Sequence, residues 1–509
     1  MRFNLKYLML KKCAVWTVGV LMLACGVLAD ERPWVVVNED NDHFFKLDSH
    51  LMTRKGLEDY IDSLCVGAVT HVFFCPCGQR TSYGSGVWEP IWAGVNEPDF
   101  NGRTNNVWCV NAKCLFGAGI DPYAVWIARC RTKGVSPWLT MRMNDAHYAH
   151  IRGFFRNTTF WRTHPELYRV PKGPRKDWAS WAFDYAHREV RDYHLAMVRE
   201  LIERFDADGL ELDWNRCGFV LREGEEAMNA RFVTEVVREA RRLADAKAAK
   251  TGCPYSLGVR VPSRPDRALA AGYDVAGWLR EGLVDLIVPC NNYFCADFAL
   301  PVREWNLLAA GSPRKVRVIP GTDQGVACVA GSRRGMDLGF YRGWAEAMYA
   351  SGAQGVYLFN AVYLPVPERD ALLADPMLRG GDVSGRPRRF PAGYCDFSAE
   401  GLHTLKDPQL PQEISDGAHL KIFLPKTVAA KTVAVVLKTE DAAEAPADVR
   451  LNGAVGTPVR PGVWRFSPEA LRGGENVVAV GPRAGAQGRL VWGEIALDSD
   501  FETKGENGI

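Results

Sequence analysis

The 509-residue sequence predicts an α/β fold: a (β/α)8 TIM barrel over residues 30–382, then a small all-β sandwich domain over 412–509. Three observations carry this. Eight short apolar runs alternate with stretches of helical period, the count such a barrel requires. The polar residues collect where those runs end, at the face where barrels of this kind gather their βα loops. After about Asp382 the helical period stops and short strand patterns with turn signals replace it.

In order, Trp34–Val37 is the first run and ends in Asn38-Glu-Asp-Asn-Asp42; Gly56–Val66 has helical period. Val69–Phe74 is the second, followed by a long insertion, Thr81–Ile120, that holds Trp88, Trp92 and Trp108. Asp121-Pro122 is a helix start for a segment ending near Lys133. Pro137–Met143 is the third run, ending in Asn144-Asp-Ala-His147. A helix over Tyr185–Arg204 leads to the fourth run, Gly209–Trp214, and Glu223–Lys250 is a long charged helix. Tyr255–Val261, Leu286–Cys290, Val316–Pro320 and Gly355–Phe359 complete the eight. Between and after them, Val275–Glu281, Phe340–Ser351 and Pro367–Leu373 read as helices. An open doubly wound sheet would place a GxGxxG loop after the first strand, and the sequence has none there.

Residues 383–411 read as a linker containing Pro391, Pro408 and Pro411. Beyond it, His419–Leu424, Thr432–Lys438, Asp448–Leu451, Gly462–Phe466, Asn476–Val480 and Arg489–Ile495 are strand candidates, with Asn452-Gly453 and Gly473-Gly474 as turns.

The fourth run carries the densest chemistry. Asp206-Ala-Asp-Gly-Leu-Glu-Leu-Asp-Trp-Asn-Arg216 holds four carboxylates, and period-two alternation puts Glu211 and Asp213 on one strand face with the leucines on the other. Two residues apart, their Cα atoms are about 6–7 Å apart, close enough for one carboxylate to raise the other's pKa. Asp206 and Asp208 read as turn residues; Glu211 has Arg142 and Arg260 as candidate partners; Asp213, nearer the strand end, is the candidate that meets substrate. Strand seven lies roughly opposite strand four, so Asp323 is the candidate second carboxylate. Asn215, Arg216, Asn291, Tyr293, Arg142 and Asp145, also at strand ends, are candidate substrate-binding groups, and Trp88 and Trp92 candidate sugar-stacking platforms.

The stretch Asp208-Gly-Leu-Glu-Leu-Asp-Trp214 resembles the fourth-strand signature of TIM-barrel glycoside hydrolases. It is similar to the DGxDxDxE strand of family 18 chitinase-like enzymes, and closer to the DGxELDW-type strand of bacterial glycoside-hydrolase-like barrels. The resemblance implies a carbohydrate-active hydrolase. Where the chitinase-type acid would fall this chain has Asn215, which cannot donate a proton as an acid. The segment around Val449-Arg-Leu-Asn-Gly453 and Gly473-Gly-Glu-Asn-Val-Val-Ala-Val480 is similar to the jelly-roll modules appended to many such enzymes.

A net charge of +2 offers no electrostatic argument for a nucleic-acid partner or an anionic membrane surface. Arg2, Lys6, Lys11 and Lys12 precede an apolar run from Cys13 to Ala29, so residues 1–29 read as an export signal peptide. Membrane association is expected only through an uncleaved or lipidated N-terminus. The ten histidines and 14 cysteines show no HExxH or CxxC spacing, so no metal or cofactor is expected. The expected function is an exported glycoside hydrolase using carboxylate acid/base catalysis. Alternatives are a silent glycan-binding barrel and a non-glycosidic hydrolase or lyase, metal-assisted through the acidic residues Glu39–Asp42.

Overall fold

The computed structural model describes residues 32–96, 106–175, 177–291, 295–329, 332–393, 409–440, 448–482 and 488–500. The predicted leader and Tyr293 lie outside them.

A closed parallel barrel is formed by β1 (Trp34–Glu39), β2 (His71–Phe74), β3 (Ser136–Arg142), β4 (Gly209–Asp213), β5 (Ser256–Pro262), β6 (Leu286–Cys290), a split seventh strand and β11 (Gly355–Leu358). β5 pairs with β6 and β11 with β1, which closes the ring. The seventh strand is two short pieces, β7 (Arg317–Val318) and β8 (Gly321–Thr322). Pro320 stands between them and has no N–H to give the ladder; β7 pairs with β6, and β8 pairs with both β6 and β11.

Inside the ring Val36, Phe73, Trp138, Leu286, Val288, Ile319, Tyr357 and Phe359 form one apolar cluster, with Phe73 and Trp138 stacked at 4.8 Å. Outside it pack α1 (Arg54–Leu64), α2 (Val107–Gly117), α3 (Pro122–Thr132), α4 (Thr159–Thr163), α5 (Arg188–Arg204), α6 (Glu226–Thr251), α7 (Pro265–Ala270), α8 (Val275–Arg280), α9 (Val302–Ala309), α10 (Leu338–Ala350) and α11 (Val366–Leu373). The Asp-Pro start signal is real: the Asp121 carboxylate accepts the Tyr123 and Ala124 N–H groups at the head of α3. α2 lies inside the stretch read as a long loop; its apolar residues follow no clean helical stripe, so its period gives no signal.

The sandwich has two antiparallel sheets. One runs β12 (Arg388–Pro391), β21 (Arg489–Leu497), β15 (Val433–Thr439), β19 (Val463–Phe466), β18 (Thr457–Arg460), with β13 (Gln412–Glu413) also on β21. The other runs β14 (Ala418–Leu424), β20 (Gly474–Val480), β16 (Val449–Leu451), β17 (Ala454–Val455). Each of the six predicted strands falls on one of these. β12 lies in the stretch read as a linker and packs on α10 of the barrel. Between β8 and α10 the chain makes a hairpin, β9 (Gly325–Val329) and β10 (Ser332–Gly335), that reaches the sandwich. Among the described residues no helix is long and apolar enough to cross a membrane.

Candidate active site

The parallel register of β3, β4 and β5 sets the centre of the mouth: Arg142 lies beside Asp213 on one side and Arg260 on the other. One Arg260 nitrogen donates to both Asp213 oxygens, at 2.9 and 2.8 Å. The backbone N–H groups of Asn215 and Arg216 donate to the same carboxylate at 3.0 and 2.9 Å. Asp213 is 2% exposed and Arg260 1%, so both charges are taken out of water together. Burial works against the Arg260 charge, but the surrounding groups, Asp213 foremost, together outweigh it and hold the Arg260 pKa above its ordinary value. Its guanidinium also lies 3.9 Å over the Phe359 ring.

Glu211, two residues earlier, points into the barrel interior. Its carboxyl accepts the Thr140 hydroxyl at 2.7 Å and the Tyr357 hydroxyl at 3.2 Å, and its second oxygen has no hydrogen-bond partner among the described residues. Burial, then the charge of Asp213, pushes its pKa up to about 8. The arginine partner expected for Glu211 goes elsewhere: Arg260 pairs with Asp213, and Arg142 turns to Asp40 and Asp145. The reason is position, since both arginines stand in register with Asp213, one pleat above Glu211.

Asp323 follows β8 and is 2% exposed. It accepts the Gln324 N–H at 2.7 Å and the Asn360 side-chain amide at 3.3 Å on both oxygens. Burial raises its pKa, opposed by the Gln324 hydrogen bond and the charges of Arg216 and Arg260. Asn360, at the end of β11 with φ of 60°, takes its backbone hydrogen bond to Asn38 of β1, so β1, β8 and β11 meet around Asp323.

The other predicted residues divide. The Asn215 side-chain amide donates to the Cys290 and Asn291 carbonyls, at 2.8 and 3.3 Å, tying β4 to the end of β6. Asn291 is buried beneath it. Arg142 donates to Asp145 at 2.7 Å and to Asp40. His147 and Arg142 draw the Asp145 carboxyl well below the usual range against its burial. Arg216 reaches His147 Nε2 at 3.2 Å. Trp88 and Trp92 are packed in the insertion: Trp88 stacks on Tyr193 of α5 and donates to its carbonyl, and Trp92 packs on Phe116 of α2. Sequence reasoning missed Thr140, Tyr357 and Asn360 as carboxylate partners. Thr140 and Tyr357 are placed by strand register, and Asn360 by the left-handed turn that follows β11.

Asp145, His147 and Cys217 bring ligand atoms within 4.8 Å of one another. The chemistry of the set argues against a cation. Arg142 occupies Asp145, Arg216 occupies His147, and burial pushes the Cys217 thiol up to about 12. The acidic run after β1 is also taken up internally. Glu39 accepts the Tyr60 hydroxyl and the Phe44 N–H, Asp40 pairs with Arg142, and Asp42 with Lys46, Arg156 and Tyr363.

No family model matches the chain, and no curated protein does. Among solved structures it is similar to a cycloisomaltooligosaccharide glucanotransferase from Paenibacillus sp., at 10% identity and a TM-score of 0.34 over 91% of this chain and 57% of that one. It is also similar to a GH36 alpha-galactosidase from Geobacillus stearothermophilus, at 12% identity and 0.36 over 92% and 56%. A maltogenic alpha-amylase from Thermotoga neapolitana matches at 14% and 0.38 over 90% and 98%. The chain spans a little over half the length of the first two. Scores this low carry no statement about this chain's chemistry.

Proposed function

We propose that the protein is a glycoside hydrolase acting on a poly- or oligosaccharide at the C-terminal mouth of its barrel, and that it is exported. One observation carries the reading. Asp213 and Asp323 stand at the mouth near the same Arg260, both buried but differently partnered: Asp213 accepts that arginine's hydrogen bonds, while Asp323 accepts the Gln324 N–H and the Asn360 amide and burial raises its pKa. Two carboxyl groups in unlike surroundings are what acid and base roles at a glycosidic bond require. Asp323 is the general acid that protonates the leaving oxygen, and Asp213 the carboxylate that serves the anomeric carbon as nucleophile or base. Glu211 sits behind Asp213, two residues earlier on the same strand face. A chitinase-type acid at Asn215 is not part of the reading, because that amide donates to the Cys290 and Asn291 carbonyls.

The test is turnover of aryl and alkyl glycosides by wild type and two variants. Asp323→Asn loses about 10²–10⁴-fold on alkyl leaving groups and little on dinitrophenyl ones, which need no acid. In the wild type, turnover of alkyl glycosides falls as pH rises through the raised pKa of Asp323. Asp213→Asn loses activity on both classes; wild-type turnover in that variant sinks the assignment. A second reading, a silent glycan-binding barrel, is favoured by the saturation of Asp213 by Arg260 and two backbone N–H groups. Saccharide binding without hydrolysis across a glycan panel would select it.

A further inference from the structure

The β9–β10 hairpin ties the proposed acid to the C-terminal domain. Asp323 and Gln324 are the two residues between β8 and β9. The base of the hairpin is closed by the Met336 N–H on the Gln324 carbonyl at 2.7 Å, and the Gln324 side chain reaches the Asn360 carbonyl. Any shift of the hairpin is therefore felt one peptide away from the Asp323 carboxyl. Along its length the hairpin rests on the sandwich. The Cys328 thiol lies 3.8 Å from the Gly493 carbonyl of β21, and the Arg334 guanidinium lies 4.2 Å over the Trp492 ring. The fit leaves no slack on the β12 side: a Cβ on Gly393 would run into the Ala327 carbonyl oxygen.

We propose that the sandwich positions Asp323 through this hairpin, so that Arg334, Trp492 and Gly393 are positioning residues of the barrel-mouth site. The catalytic meaning rests on reading Asp323 as the general acid. The mechanical link does not. A barrel loop left to itself opens easily, whereas one packed against a second domain keeps its carboxyl in a fixed place.

Two variants test this in the full-length protein. Arg334→Ala removes the cation from the Trp492 face, and Gly393→Ala pushes on the hairpin backbone. Hydrogen exchange is read on the peptide covering residues 321–329 and on peptides from β1 and β3. The expected result is exchange about tenfold faster or more in the hairpin peptide of both variants, with β1 and β3 unchanged. Turnover is read on alkyl and dinitrophenyl glycosides. About a tenfold fall in kcat on the alkyl substrates is expected, with KM within about twofold and the dinitrophenyl rate nearly kept. Unchanged hairpin exchange in both variants, or equal losses on the two leaving groups, overturns the proposal. If the wild type hydrolyses no glycoside, the glycosidase reading fails, and the exchange result alone decides whether the sandwich holds the Asp323 loop.

Discussion

Glu211 is fully buried, and burial and then the nearby Asp213 charge disfavour its ionisation and push its pKa up to about 8. That has a thermodynamic consequence of definite sign. Below about 4.5 the carboxyl is neutral in folded and unfolded chains alike. Between that point and about 8 the unfolded chain ionises it and the folded chain does not. Its contribution to stability is therefore full at low pH and declines by up to about 1.4 kcal/mol per pH unit as pH rises through this window. Glu211→Gln removes the slope. Urea midpoints at about pH 5 and about pH 8 are expected to fall further for wild type than for the variant. Equal pH dependence in the two proteins would show that Glu211 ionises freely in place. The neighbouring pair behaves differently: Asp213→Asn leaves Arg260 buried without its counter-charge, at a cost of about 3 kcal/mol, so loss of activity there is read beside a melting curve.

At the scale of elements, α10 is the helix that joins the two domains. Gly343 on its face meets the backbone of β12 so closely that a Cβ would collide with the Arg389 carbonyl. Gly339 faces the Arg389 side chain, which also bonds Asp337, the residue capping the helix, and Glu494 of β21 at 2.8 and 3.0 Å. Gly343→Ala is expected to push β12 off the helix and cost about 1–3 kcal/mol. The check is a lower melting temperature with far-ultraviolet circular dichroism unchanged below the transition; an unshifted melt would mean that the helix yields without cost. This contact also explains why proline content is a poor guide to the connection. Pro391 ends a paired strand, and its ladder position is at the sheet edge, where a missing N–H is tolerated.

For the whole molecule, the barrel and sandwich share buried ionic and aromatic contacts. Arg388 is 1% exposed and bonds Glu346 of α10 at 2.8 Å and Asp498 after β21 at 2.9 Å. Phe298 and Phe340 of the barrel face Phe390 and Trp492 of the sandwich. Cutting the chain after Asp382 would expose these rings and strip Glu346 of its partner. The truncated barrel is expected to be aggregated, or to melt more than about 10 °C below the full chain. A soluble truncation with an unchanged melting temperature would make the sandwich an independent appendage.

Much of this was legible in the sequence, and the boundary has a physical cause. The eight strands, most of the outer helices and the six main sandwich strands follow from local periodicity. Glu211 and Asp213 sharing the interior face follows from the same period of two. What no local pattern holds is which side chain meets which across the barrel. Arg260 takes Asp213 and leaves Glu211 to Thr140 and Tyr357 because parallel register, set by packing over the whole ring, places it there. The break of the seventh strand is foreshadowed by Pro320, but the hairpin that follows it, and its seat on β21, depend on two domains meeting. The sequence by itself determined the fold class and the residues available at the mouth. Tertiary structure decided their partners and protonation, because burial and charge act through space over distances that chain order does not encode.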